Sequence, residues 1–247
     1  MKDAARRILE AVGGSGGVTV MTGAGISAES GIRTFRDGGG LWEEHSIEEV
    51  ATPEGFAANP ALVHGFYNAR RAQLGTVEPN EGHRALVRLE RLFGERFSLI
   101  TQNVDDLHER AGAGRVLHMH GELYKARCVD CAAVVEWRED ISLDDACRAC
   151  SGRMRPHIVW FGEIPFHLEK EIPAACNGCG VFFSIGTSGV VYPAAGLAGM
   201  VHSTGGLCAE INLETSPANP VFELQLEGPA GEVLPALLDE LELQSGA

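Results

Sequence analysis

Two cysteine pairs carry the strongest chemical signal in the chain: Cys128 with Cys131, and Cys147 with Cys150, the inner two separated by fifteen residues. Each two-residue spacing forms a knuckle that offers two thiolates. Four thiolates at ~2.3 Å from one ion make a tetrahedral zinc site with no position left for water, so such a metal holds a small lobe together and does no catalysis. A third pair, Cys176 and Cys179, has the same spacing, but its only further thiol is the distant Cys208. Packed thiols at a helix-to-strand junction are the expectation there, with a second metal site and a labile disulfide as the open alternatives.

A second set of residues falls at the ends of apolar runs. After Val18 to Met21 come Gly23, Ala24, Gly25 and Ala28, a spacing that fits a dinucleotide turn and fits a purely structural turn equally well. The acidic ribose partner of a dehydrogenase has no clear counterpart, because Glu43 and Glu44 lie near the right distance but follow no evident strand. Gln102, Asn103 and Asp105 cluster after a second run, where amides and a carboxylate suit a ribose or a carboxamide. A third run, Val116 to Met119, holds His118 and precedes His120; a structural role is the ordinary expectation for a histidine, and His120 stands out because Gly121 succeeds it. Tyr67 and Arg70 are three apart, on one face of a helix, where a phenol and a guanidinium can converge on a carboxylate; a solvated arginine beside a core tyrosine is the alternative.

These residues need a scaffold that collects strand ends. The stretches VTVMTGAG, FSLITQNVDD, VFFSIGTS and AEINLE suit buried parallel strands, with helices such as EGHRALVRLERLF between them. An alternating α/β sheet binds ligands at the carboxyl ends of its strands, where Gly23, Asn103, Thr187 and Asn212 fall. Two segments interrupt this pattern. Residues 43–77 read as helical, with Asn59 as an N-cap and Pro60 in the first helical position; residues 123–155 hold the four cysteines. Leu234, Leu237, Leu238 and Leu241 mark a closing helix packed on the core.

Composition excludes some partners. A formal net charge of -14 argues against binding nucleic acid through a basic face and against an anionic membrane surface. The first residues lack the apolar stretch of a secretory signal, no apolar run approaches the ~20 residues of a membrane span, and the cysteines look metal-binding. A cytoplasmic monomer without long terminal extensions is the expectation.

Taken together, GAGIS with GIRTFR, TQNVD, the HG of HMHGEL, the two knuckles, RPHIVWFGE, GTS with YPAA, and NLE resemble the sirtuins, NAD-dependent protein-lysine deacylases, in family order from about residue 18 to residue 240. The resemblance implies a Rossmann-like parallel sheet domain (1–42, 78–122 and 156–247) with a smaller zinc-binding and helical lobe inserted (43–77 and 123–155). It implies that the acyl-lysine oxygen displaces nicotinamide from NAD, with Phe35 excluding water. His120, neutral, then acts as general base on a ribose hydroxyl that attacks the imidate carbon. The products are nicotinamide, 2′-O-acyl-ADP-ribose and free lysine. Asn103 joins His120 as a catalytic residue. Cofactor contacts are implied for Gly23, Ala24, Gly25, Glu29, Thr34, Phe35, Arg36, Trp42, Gln102, Asn103, Val104, Asp105 and His120, and for Gly186, Thr187, Ser188, Asn212, Leu213, Glu214 and Ala230.

Val159, Phe161, Gly162 and Glu163 match the segment that pairs with the substrate peptide as an added strand. Tyr67, Arg70 and the small residue Ala51 resemble the pocket of class III sirtuins, which remove succinyl and malonyl groups; bacterial members also deacetylate, so both activities are expected. Arg33 stands where many sirtuins have proline, and the glycine-rich GLAGMVHSTGGLC is less regular than a family helix. Competing expectations are an NAD-linked dehydrogenase, a non-catalytic module binding NAD or ADP-ribose, and a protein ADP-ribosyltransferase.

Overall fold

Continuous apolar runs become interior strands here because both faces of the sheet they form are covered. The computed structural model describes residues 1–13, 16–33, 45–215 and 219–246, and of residues 41–42 the backbone. The strands in chain order are β1 (Gly17–Thr22), β2 (Leu41–Trp42), β3 (His45–Ser46), β4 (Phe97–Thr101), β5 (Val116–His118), β6 (Gly121–Cys128), β7 (Val134–Glu136), β8 (Met154–Ile158), β9 (Cys179–Ile185), β10 (Leu207–Asn212) and β11 (Leu224–Glu227). The helices are α1 (Lys2–Val12), α2 (Ala24–Ala28), α3 (Ile47–Val50), α4 (Pro53–Ala58), α5 (Pro60–Leu74), α6 (Glu81–Phe93), α7 (Leu107–Ala111), α8 (Glu171–Cys176), α9 (Leu197–Ser203) and α10 (Ala230–Ser245).

The main sheet has the order β11-β10-β9-β1-β4-β5, and its pairings are parallel. Alternation along β1 divides the core. Val18 and Val20 join Ile8, Leu86, Leu89, Leu237 and Leu241 on the side of α1, α6 and α10, whereas Met21 joins Ile172, Leu197 and Val201 on the side of α8 and α9. The closing leucines pack as their spacing predicts. Residues 197–203 form α9 despite Gly199 within it, so the helix that the sequence left irregular is present. Cys176 ends α8 and Cys179 opens β9, and both are buried with Cys208. Burial pushes the Cys176 and Cys208 thiols up to about 12, which suits packing rather than redox exchange.

A smaller three-stranded antiparallel sheet, β7-β6-β8, carries the cysteines. It extends over 121–128 and 154–158, so the boundaries drawn at 122/123 and 155/156 fall inside β6 and β8. The reason is continuity of pairing, since Gly121 pairs with Ile158. Helices α3, α4 and α5 pack against this sheet, and Val50, Phe56, Val63 and Tyr67 share one core with Leu123, Ile158 and Trp160. Asn59 caps α5 by accepting from Leu62 N at 3.1 Å, and Pro60 occupies the first turn.

Candidate active site

The registers of the main sheet align its strand ends. Thr22 pairs with Thr101 and Ile185, Thr101 pairs with His118, and Ile185 pairs with Ile211. The residues just beyond this row are Gly23, Gln102, Gly186 and Asn212, with His120 two places after His118, and the sequence singled out all five. Close backbone packing explains the glycines at one edge. A Cβ on Gly23 would lie 2.7 Å from the Gly186 oxygen, one on Gly25 would lie 2.7 Å from Gly186 Cα, and Gly186 itself has φ +60°. Three glycines let two strand-end turns touch, with Gly25 N donating to Gly186 O at 2.9 Å.

Asn103 sits 7% exposed over this turn, its Nδ2 donating to Gly23 O at 3.1 Å and Ser27 Oγ at 3.0 Å. Ser27 Oγ donates to Asp105 Oδ2 at 2.9 Å, and Leu107 N donates to Oδ1 at 3.1 Å. Ser27 therefore couples the amide to the carboxylate, a role sequence reading missed although it lies inside GAGIS. Burial pushes the Asp105 carboxyl above its ordinary value. Val104 O accepts from Leu123 N at 2.8 Å, joining this loop to β6. At the opposite edge Asn212 Nδ2 donates to Thr187 O at 2.8 Å and Ser184 and Thr187 hydroxyls lie 2.8 Å apart; Ser188 is half-buried, while Leu213 and Glu214 are exposed. Glu29 accepts from Gly231 N at 2.9 Å, tying the end of α2 to the start of α10, where Ala230 is buried. Thr34, Phe35 and Arg36 lie outside the described residues, as do Glu43, Glu44 and the side chain of Trp42.

His120 lies in the corner between β5 and β6. Its Nδ1 is 3.1 Å from Gln102 O. A carbonyl only accepts, so Nδ1 carries the proton and Nε2 keeps its lone pair. Burial lowers the imidazole below its ordinary value, favouring the neutral ring. Gly121 makes the corner possible, with φ +90° and a Cβ position 2.0 Å from His157 O. Gly121→Ala is expected to destabilise the protein by at least ~2 kcal/mol, through left-handed strain and overlap, without touching any polar group of the site. A urea melt reads this directly, and an unchanged midpoint contradicts it.

From His120 a chain of contacts reaches the small lobe. Val159 N donates to His120 O at 2.9 Å, and Phe161 N donates to Ala51 O at 2.9 Å. These N–H groups are committed internally, whereas among the described hydrogen bonds Gly162 N–H and the Val159, Phe161, Gly162 and Glu163 carbonyls take no part. The Glu163 side chain turns inward, accepting from Arg155 and Arg127. Tyr67 is fully buried and shares a cluster with Ala51 and Trp160, while Arg70 is 5% exposed with its guanidinium 5.3 Å from the Phe66 ring centre. The neighbouring Arg71 points elsewhere, donating to Leu123 O at 2.9 Å and Asn68 Oδ1 at 2.7 Å.

The four cysteine sulfurs lie within 4.8 Å of one another, with Cys128 and Cys150 3.4 Å apart and Cys131 and Cys147 3.6 Å apart. A tetrahedron of sulfurs at ~2.3 Å from zinc has edges of about 3.8 Å, so the group fits a structural zinc ion. Amides of Asp130 and Ala149 point at Cys128 and Cys147 sulfurs at 3.4 Å, supporting thiolate character. The lobe is tied to α5 by Asn68, which bonds both backbone groups of Ile141 at 3.0 Å. Cys147→Ser, or a strong chelator, is expected to unfold β6–β8 and to disturb the helix bearing Tyr67 and Arg70. Faster amide exchange over residues 60–74 as well as 121–158 is the expected readout; exchange confined to the cysteine loops contradicts the coupling.

Comparison with known proteins agrees with this geometry. Residues 23–193 match the family model described as Sir2 family. A curated relative from Salmonella typhimurium, named NAD-dependent protein deacylase, is 52% identical over 227 residues, covering 90% of this chain and 83% of its own length. A relative of the same name from Escherichia coli K12 is 50% identical over 228 residues, covering 91% and 81%. A solved Sir2 homologue in complex with NAD has a TM-score of 0.88 at 38% identity, covering 99% of this chain and 94% of that one. Sir2Af2 bound to a myristoylated histone peptide has a TM-score of 0.75 at 34% identity, with 100% coverage of both chains.

Proposed function

The chain belongs to the Sir2 family, and we propose that it removes acyl groups from protein lysines in an NAD-dependent reaction, accepting succinyl and malonyl groups as well as acetyl. The observation that carries the chemistry is the 3.1 Å contact of His120 Nδ1 with Gln102 O, which puts the ring proton on Nδ1 and leaves Nε2 available as a base. Bound NAD supplies the ribose that receives the acyl group and the nicotinamide that departs. His120 Nε2 takes the proton of the ribose hydroxyl. Asn103 and Asp105, linked through Ser27, hold the nicotinamide ribose and the carboxamide. The Gly23 to Gly25 turn receives the pyrophosphate, with Gln102, Val104 and Glu29 supporting it, and the residues outside the described set, Thr34, Phe35, Arg36 and the Trp42 side chain, complete the cover. Gly186, Thr187, Ser188, Asn212, Leu213, Glu214 and Ala230 line the adenosine half. Cys128, Cys131, Cys147 and Cys150 hold the structural zinc.

The substrate peptide lies along Val159, Phe161, Gly162 and Glu163, and its acyl-lysine passes between this segment and His120. Ala51 leaves room at the far end, where Tyr67 and Arg70 meet a carboxylate. In this view the six-stranded unit binds NAD and the lobe of residues 43–77 and 121–158 selects the acyl group. We place the enzyme in the cytoplasm as a monomer acting on protein lysines; no described helix is long and apolar enough to cross a membrane. Succinyl-lysine and acetyl-lysine peptides of one sequence, incubated with protein and NAD, test the proposal. Release of both groups only with NAD supports it, and release of neither by zinc-loaded protein overturns it.

A further inference from the structure

Trp160 is 2% exposed, yet it is the residue on which the Tyr67 hydroxyl rests. Its indole Nε1 lies 3.1 Å from the Tyr67 oxygen. Indole N–H can only donate, so the phenol oxygen accepts in this contact and its own hydrogen is given in another direction. The indole is held on every side. The Arg155 guanidinium lies over the ring, 3.2 Å from its centre, and Phe56 packs 5.1 Å away. Arg155 is fixed by Glu163, donating to its two oxygens at 2.7 and 3.0 Å, and by Ile158 O at 2.8 Å. Glu163 in turn accepts the Trp160 backbone N–H at 2.8 Å, closing a ring of contacts around one side chain.

This arrangement is more than filling. A hydrophobic residue would fill the same space without a largely buried ion pair, whose desolvation is repaid only where the pair's geometry and its further hydrogen bonds are good. A hydroxyl rotates freely between donating and accepting, and a carboxylate needs donors only. Resting on the reading that Tyr67 and Arg70 receive an acyl carboxylate, we propose that Trp160 is a positioning residue for acyl specificity. Its N–H occupies the acceptor side of the Tyr67 oxygen, so the phenol presents its hydrogen to an acidic acyl group, and the Arg155–Glu163 pair keeps the indole from turning away. An acetyl group has no carboxylate to receive that hydrogen and is indifferent to it.

The test is steady-state kinetics on succinyl and acetyl peptides of one sequence, with Trp160→Phe and with benzothienylalanine placed at position 160. The second keeps the shape and the stack on Arg155 and lacks only the N–H, so it reports even where phenylalanine disturbs folding. The expected result is a KM for the succinyl peptide raised about fivefold to tenfold, with kcat and both acetyl parameters within about twofold. Trp160→Phe combined with Tyr67→Phe is expected to be no worse on the succinyl peptide than Tyr67→Phe alone, because both remove one donor arrangement. If Tyr67→Phe raises the succinyl KM while neither change at position 160 does, the positioning role is wrong and the clamp survives. Equal losses on both peptides make Trp160 a packing residue and also overturn the proposal. If Tyr67→Phe itself leaves the succinyl KM unchanged, the clamp fails and takes the inference with it.

Discussion

A His120→Ala protein is expected to fold, to bind NAD and to deacylate peptides roughly 10³-fold more slowly, within the range a single positioned general base contributes. Because the base acts after nicotinamide has been displaced, exchange of labelled nicotinamide into NAD in the presence of acyl peptide is expected to survive the substitution. Loss of exchange together with deacylation points instead to a collapsed site. The wild-type pH profile adds a check. The neutral ring is the active form and burial holds its titration below the ordinary 6.5, so activity is present above that value and is lost as pH falls through a lower one. An acid limb above 6.5 in kcat/KM contradicts the burial and the tautomer together.

Arg70→Met is expected to lower kcat/KM for a succinyl peptide by about 10²-fold, chiefly through KM, since a charge-assisted pair of bonds to the substrate carboxylate is lost. Deacetylation is expected to change by less than about threefold, because methionine fills much of the same volume and acetyl carries no charge. The asymmetry matters more than either number. Arg71, one residue along, is equally buried but serves Leu123 O and Asn68, so Arg71→Met is expected to lower the melting temperature and affect both peptides alike. If Arg70→Met and Arg71→Met behave alike, α5 carries no acyl clamp.

Much of this was legible in the sequence because it is local. The runs leading to Gly23, Gln102 and Gly186 are buried along most of their length, so they read as largely apolar with only small hydroxyl residues between, and Asn59 followed by Pro60 announces a helix start within two residues. The cysteine spacing fixes a metal site because each knuckle is a single turn. What escaped depends on contacts distant along the chain. The tautomer of His120 is set by Gln102 O, the orientation of Glu29 by Gly231 N, and the state of the Tyr67 hydroxyl by Trp160, 93 residues further on. Trp160 stood inside a recognised motif, between Val159 and Phe161, but nothing in its neighbours' identities says which way the indole turns. The extent of the small sheet was not legible for a related reason: the Gly121–Ile158 pairing joins positions whose local sequence does not distinguish a corner from a strand.

The most direct measurement follows the acyl group itself. Protein, NAD and a succinyl-lysine peptide are combined, and mass spectrometry counts free lysine peptide, nicotinamide and succinyl-ADP-ribose as the reaction proceeds. Equal amounts of the three, none of them formed without NAD, are the predicted result. Free succinate appearing with intact NAD, or nicotinamide and ADP-ribose appearing while the peptide stays acylated, contradicts NAD-dependent lysine deacylation and directs attention to simple hydrolysis or ADP-ribosyl transfer.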